Sequence, residues 1–234
     1  MKFVGERRAL ASIVLAFWFL LYLMQGLLGG GPLGPVMYAL AGTYGLAFFA
    51  LVAGYFWARW YAVGVNLFGL IIGGIGLWQM GPEFQVLLIV ISHLTATAML
   101  WGSSMSEVYD GQTAWRERYH MDDGAVQRLG RSVIRAGVSL PMVLIYGLAP
   151  KQPAAFVASA FVIVLATLGL RALVRLRTWG VLAIGCAGAV MLAFAGIEGA
   201  TQDASFALSP ALAGSLLVFA AAPWFAPVAR WLRA

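Results

Sequence analysis

Charge is the first thing this sequence is short of. Only 10% of its 234 residues are Asp, Glu, Lys or Arg, while 62% are hydrophobic; soluble domains carry charge on about a quarter of their residues. So few polar groups cannot build a water-facing shell. Most side chains must therefore face lipid or other helices, and the chain reads as an all-α, polytopic membrane protein. The net charge of +6 does not point to nucleic acid, because basic residues bunched at the ends of apolar runs report membrane orientation instead.

Other scarcities each remove a function class. Lysine is confined to Lys2 and Lys151, both outside the apolar runs, so no span carries the amine that a retinal Schiff base requires. Histidine is confined to His93 and His120, and only His93 falls within a span, whereas a haem held between helices commonly takes two axial histidines. Cys186 is the single cysteine. That excludes a disulfide, a thiol pair and a cysteine metal site, and its place in an apolar run suits a small packing residue. On these grounds no metal and no cofactor is expected. Met1 to Arg8 has the charge of a signal-peptide start, but no small-x-small site closes the apolar run that follows, so this run is expected to stay attached as the first membrane helix.

Apolar segments are what the chain has in abundance. Eight reach roughly spanning length against the ~20 residues a bilayer requires: Ala9 to Leu28, Val36 to Trp57, Trp60 to Met80, Phe84 to Trp101, Ser132 to Ala149, Ala154 to Leu173, Trp179 to Ile197 and Ala211 to Val228. Turn formers separate them at Gly29 to Pro35, Gly81 and Pro82, Pro150 to Pro153, and Gly199 to Pro210. With the N-terminus in the cytoplasm, every Lys and Arg except Lys151 falls on one side, as the positive-inside rule requires. The expectation is a multi-pass protein of the cell inner membrane with both termini cytoplasmic. Its parts are a first half of four helices (1–102), a cytoplasmic polar loop with a surface helix (103–131) and a second half of four helices (132–234). An offset of 118 aligns Pro32 and Pro35 with Pro150 and Pro153, and Arg59 with Arg177, as in parallel repeats.

Within the spans the signals are mainly for packing. Gly26 and Gly30, and again Gly69 and Gly73, lie four apart and let another backbone approach closely; the third helix is accordingly expected to be central. Pro141 falls mid-helix and should kink its span, freeing a carbonyl that Ser139 could satisfy. His93, with Thr95 and Thr97 after it and Asn66 on the third helix, forms the one candidate polar site near mid-membrane. Ionisable groups at such depth are costly and often mark a pathway; a histidine that simply bonds a neighbouring helix is the plainer alternative.

The polar loop carries mixed charge and aromatic rings. Trp115, Arg116, Arg118, Arg128, Arg131 and Arg135 are expected to meet anionic headgroups or an acidic partner. Asp122 or Asp123 should cap a helix that runs on into the fifth span, and Arg135, about a turn inside the apolar run, can snorkel outward. Glu107, Asp110, Gly111, Ala114 and Arg116 superficially resemble the acidic signature of CDP-alcohol phosphotransferases. Glu stands where that family has its first Asp, Trp115 interrupts the spacing, and the second aspartate pair needed for a two-metal site has no counterpart. Glu117 and His120 supply one Glu-x-x-His, where di-iron bundles use two.

Three functions follow in order of expectation. The first is a non-catalytic subunit, scaffold or assembly partner that binds membrane lipids and other membrane subunits or itself. The second is a small-solute or ion transporter with a site near His93, and the third an enzyme acting on lipid headgroups through the loop acids.

Overall fold

The computed structural model describes residues 3–29, 31–149, 153–201 and 204–233. Gly30, Lys2, Pro150 and Lys151, all used in the sequence argument, lie outside the described residues. Among those described the regular structure is helical, with no strand. The helices are α1 (Val4–Gly29), α2 (Gly34–Ala53), α3 (Ala58–Met80), α4 (Phe84–Leu100), α5 (Ser103–Val108), α6 (Thr113–Arg118), α7 (Asp123–Leu148), α8 (Pro153–Val174), α9 (Trp179–Thr201), α10 (Ala204–Ala221) and α11 (Phe225–Arg233), with a 3₁₀ turn at Ala222–Trp224 before the last. Among the described residues, seven helices are long and apolar enough to cross a membrane. The fold is an all-α helical bundle of a multi-pass membrane protein. The fourth expected span is shorter: α4 has 17 residues and rises about 25 Å, against a hydrocarbon layer of ~30 Å.

The chain divides into two compact units, Met1–Asp122 and Asp123–Ala234. The division falls inside the polar segment, because α7 starts at Asp123 and continues unbroken through Ser132 into the apolar run. Arg128, Arg131 and Arg135 therefore stand on the first turns of a long helix, while residues 103–122 belong to the first unit.

Each unit closes the same ring. In the first, α1 packs on α2, α2 on α3, α3 on α4, and α4 returns to α1; in the second, α7, α8, α9 and α10 do likewise in the same order. The turn between the second and third helix of each ring is also built alike. Gly54 N–H bonds Leu51 O, Tyr55 N–H bonds Ala50 O and Ala58 N–H bonds Tyr55 O; the matching bonds run from Leu176 to Leu173, Arg177 to Ala172 and Gly180 to Arg177. Both are helix C-caps of the Schellman type, with the cap residue left-handed, Gly54 at φ 75° and Leu176 at φ 58°. This alignment pairs Gly54 with Leu176 and Trp57 with Trp179, so the structural register here is 122 and not the 118 read from the prolines; Arg59 does not match Arg177.

Glycine sets the closest helix approaches. A Cβ on Gly26 would lie 3.0 Å from the Tyr38 ring, and one on Gly73 would lie 2.6 Å from Val90 Cγ2. The sequence-derived faces are thus filled within the first unit: Gly26 by α2, Gly69 and Gly73 by α4. In the second unit one close contact is reciprocal. Cβ atoms built on Gly188 and Gly214 would each lie 2.9 Å from the other residue's carbonyl oxygen, so the α9 and α10 backbones touch there, as small residues allow in lipid.

Candidate functional site

All four helices of the first ring meet at His93. It is 1% exposed. Its Nδ1 lies 2.7 Å from Ile89 O, and because a carbonyl only accepts, Nδ1 carries the proton. In the neutral imidazole Nε2 is then the acceptor, and the Tyr44 hydroxyl of α2 donates to it at 2.7 Å. The Trp18 ring of α1 packs on the imidazole at 4.9 Å between centroids, and Trp18 Nε1 donates to Ser92 Oγ at 3.1 Å. From α3, Gly69 leaves room for the ring; a Cβ there would fall 2.1 Å from His93 Cδ2. Neither ring nitrogen is left to meet a solute.

The remaining mid-membrane candidates do not line a site with it. Asn66 is fully buried and its Nδ2 donates to Ala62 O of its own helix at 2.8 Å, while Oδ1 has no partner. Thr97 Oγ1 donates to His93 O at 2.8 Å, a bond within α4. Thr95, two residues after His93, faces away on a 3.6-residue helix. Pro141 sits buried inside a continuous α7. Ser139 does not serve the carbonyl freed by Pro141: its hydroxyl donates to Ala213 O on α10 at 2.7 Å.

A second polar centre lies at the basic end of the first unit, around Asp110. Arg59 at the start of α3 grips this carboxylate with two parallel bonds, Nε to Oδ1 at 2.6 Å and Nη2 to Oδ2 at 2.9 Å, the bidentate geometry that makes such pairs strong. Ser106 Oγ adds a bond to Oδ2 at 2.7 Å, and Arg116 Nε reaches Asp110 O at 3.1 Å. Gly111 must be glycine, since a Cβ would lie 2.7 Å from Glu107 Cα. The Asp-Gly pair that looked like part of a phosphotransferase signature is thus explained by an ion pair and a tight turn.

This centre is tied to the helix ends above it. The last carbonyls of a helix lack partners within it. Arg7 supplies them for α4, with Nε on Met99 O at 3.0 Å and further bonds to Ala98 O and Trp101 O. For α2, Arg8 reaches Val52 O and the Tyr109 hydroxyl donates to Leu51 O at 3.0 Å. Burial raises the Tyr109 phenol above its ordinary 10.0, and the nearby Arg8 guanidinium opposes the rise. Trp115, expected at the headgroups, turns inward instead: it is 8% exposed and stacks on Phe56 at 4.2 Å. Segment 103–118 is therefore a cap on the first ring.

The other loop arginines are also engaged. Arg118 lies over the Tyr119 ring and Arg128 over Trp224, and Arg131 Nε bonds Gln127 O within α7. Arg135 donates to Phe219 O, which is orphaned because Pro223 has no N–H to offer it. Ser132 Oγ donates to Ala220 O at 2.6 Å one turn away and accepts from Trp224 Nε1 at 2.9 Å. α6 ends at Arg118, so Glu117 and His120 do not share a helix face, and no group of three metal-ligating side chains occurs among the described residues. Sequence reasoning missed Trp18, Tyr44, Arg7, Arg59, Gly188 and Gly214. The prolines after α10 were the one signal for where Arg135 would bond. Comparison with protein-family models, curated proteins and solved structures finds no match to the chain.

Proposed function

We propose that the protein is a non-catalytic subunit or assembly partner of a membrane complex, seated in the inner membrane with both termini and the 103–122 segment cytoplasmic. One observation carries this reading: His93 spends both ring nitrogens on Ile89 and Tyr44 and is sealed by Trp18 and Gly69. The group best suited to move a solute or proton is used to hold four helices together. The loop acid best placed for chemistry, Asp110, is likewise spent on Arg59. What the chain leaves outward is apolar helix face, the kind of surface that lipids and neighbouring subunits cover in a bilayer.

Mild extraction from the native membrane, followed by mass spectrometry of the purified species, tests the proposal. Stoichiometric protein partners are expected. A lone chain that moves a solute when reconstituted, with the movement abolished by His93→Ala, would overturn it in favour of a transporter. Loss of a lipid product on Asp110→Asn would instead favour an enzyme.

A further inference from the structure

The basic end of the second unit holds a cavity of about 250 Å³ lined by Leu168, Arg171, Ala172, Arg175, Arg177 and Trp179. Its shape follows from the turn between α8 and α9. The left-handed Leu176 reverses the chain within two residues, so Arg177 returns to the side already occupied by Arg171 and Arg175. Left-handed backbone is strained in a residue with a Cβ, and the first ring has a glycine at the matching position. Gly180 brings α9 against α8, where a Cβ would meet Leu173 N at 2.6 Å and Gly169 O at 2.7 Å.

Three cations converge on this cavity, and no side-chain hydrogen bond or ion pair joins Arg171, Arg175 or Arg177 to a described residue. That separates them from Arg7, Arg59, Arg116 and Arg135, each of which is bonded within its own unit. The α8 surface leading to the cavity is equally specific. Val157, Phe161, Val164 and Leu168 are exposed, and their spacing of four, three and four continues through Arg171 to Arg175, so one stripe of the helix is apolar along its length and cationic at its end. From Val157 to Leu168 the helix rises about 16 Å, close to one leaflet of a ~30 Å hydrocarbon layer.

We infer that this cavity and stripe bind an anionic phospholipid, with the phosphate ester among the three guanidinium groups, Trp179 at headgroup level and an acyl chain along α8. A cavity below the ~300–1,000 Å³ of pockets that enclose a whole drug-sized ligand suits a phosphate ester whose tails remain in the bilayer. Charge complementarity selects anionic over zwitterionic lipid. The inference stands whether or not the chain has a protein partner.

Native mass spectrometry of the delipidated full chain, titrated with phosphatidylglycerol or phosphatidylcholine in mixed micelles, reads the site directly. Phosphatidylglycerol should bind with defined stoichiometry and phosphatidylcholine should not. The Arg171→Gln/Arg175→Gln/Arg177→Gln variant should weaken that binding by about tenfold or more, because each arginine adds attraction at an anionic surface. Arg230→Gln/Arg233→Gln, which removes two arginines outside the cavity, should not weaken it. Leu168→Asp, which leaves every arginine in place and breaks the apolar approach, should also weaken binding. Equal binding of both lipids, an unaffected triple variant, or equal loss in the Arg230/Arg233 variant would overturn the inference. Displacement of the lipid by inorganic phosphate at millimolar strength would overturn the lipid as the ligand.

Discussion

The two units close the same ring of four helices by different means. The first ring is locked by polar side chains that cross between helices: Tyr44 on His93, Trp18 on Ser92, and Arg59 on Asp110 beneath them. The second is locked by backbone proximity and by hydroxyls donated to carbonyls: Gly188 against Gly214, Ser139 on Ala213 and Ser132 on Ala220. One ring inserts bulky hydrogen-bonding side chains, and the other has small residues that let the helices close. Lipid gives no hydrophobic drive between helices, so packing and hydrogen bonds are the two terms available; both units use both, and the second also has a side-chain pair, the Tyr146 hydroxyl donating to Glu198 Oε1 at 2.6 Å.

Breaking the Asp110 pair should give the largest effect. Asp110→Ala leaves Arg59, 15% exposed at its side chain, without its carboxylate, a loss of about 3–5 kcal/mol for a buried pair. Amide exchange should rise over 103–118 and stay unchanged over 123–148; unaltered exchange in the cap would show that the pair does not hold it.

Glycine replacement sharpens the contrast. Gly69→Ala and Gly188→Ala should each destabilise by about 1–3 kcal/mol in thermal melts in detergent, the usual range for overpacking. Only the first should be relieved by a second change, His93→Ala, because the clash at Gly188 is with the Gly214 and Val218 backbone. Equal rescue in both rings would erase the distinction.

Smaller effects are expected from single hydrogen bonds. Tyr44→Phe should cost about 0.6–1.7 kcal/mol, the span measured for interhelical bonds in membranes. Ser139→Ala should fall at about 0.6 kcal/mol or less, since the Ala213 carbonyl stays within α10; the same melts rank the two.

The smallest effect is one of pH. The Tyr109 phenol is held above its ordinary 10.0 in the folded chain, so folding favours its neutral form. Its contribution is complete below pH 10.0 and is lost as pH rises through the folded value. Alkaline loosening of the cap, followed by amide exchange over 103–118, should disappear in Tyr109→Phe.

Much of the fold was legible because the transfer of apolar residues is nearly additive along a chain. The helices, the turn at Gly81 and the continuation of α7 out of the polar segment all follow from local composition, whereas the second span, read as running to Trp57, ends at Ala53 because Gly54 caps it in the left-handed region. The start of α7 at Asp123 shows how local such signals are, since the acid, the glycine after it and the arginine spacing lie within three turns. The site was less legible. His93 stood out as the lone histidine in a span, but Tyr44 is 49 residues away and Trp18 bonds Ser92 across 74. Trp115 looked amphipathic enough for a membrane surface, yet its ring went to Phe56 because Asp110 and Gly111 turn the segment back under the bundle.

The sequence by itself determined that the chain is helical and that it spans the membrane several times, because each of these depends on summed properties of neighbouring residues. Only the tertiary structure decided which polar groups are spent and which remain open. It joined Arg59 to Asp110 across 51 residues, enclosed His93 within four helices, and left Arg171, Arg175 and Arg177 facing a cavity. Such pairings depend on which helix faces meet, and that is fixed by packing between segments rather than by the composition of any one of them.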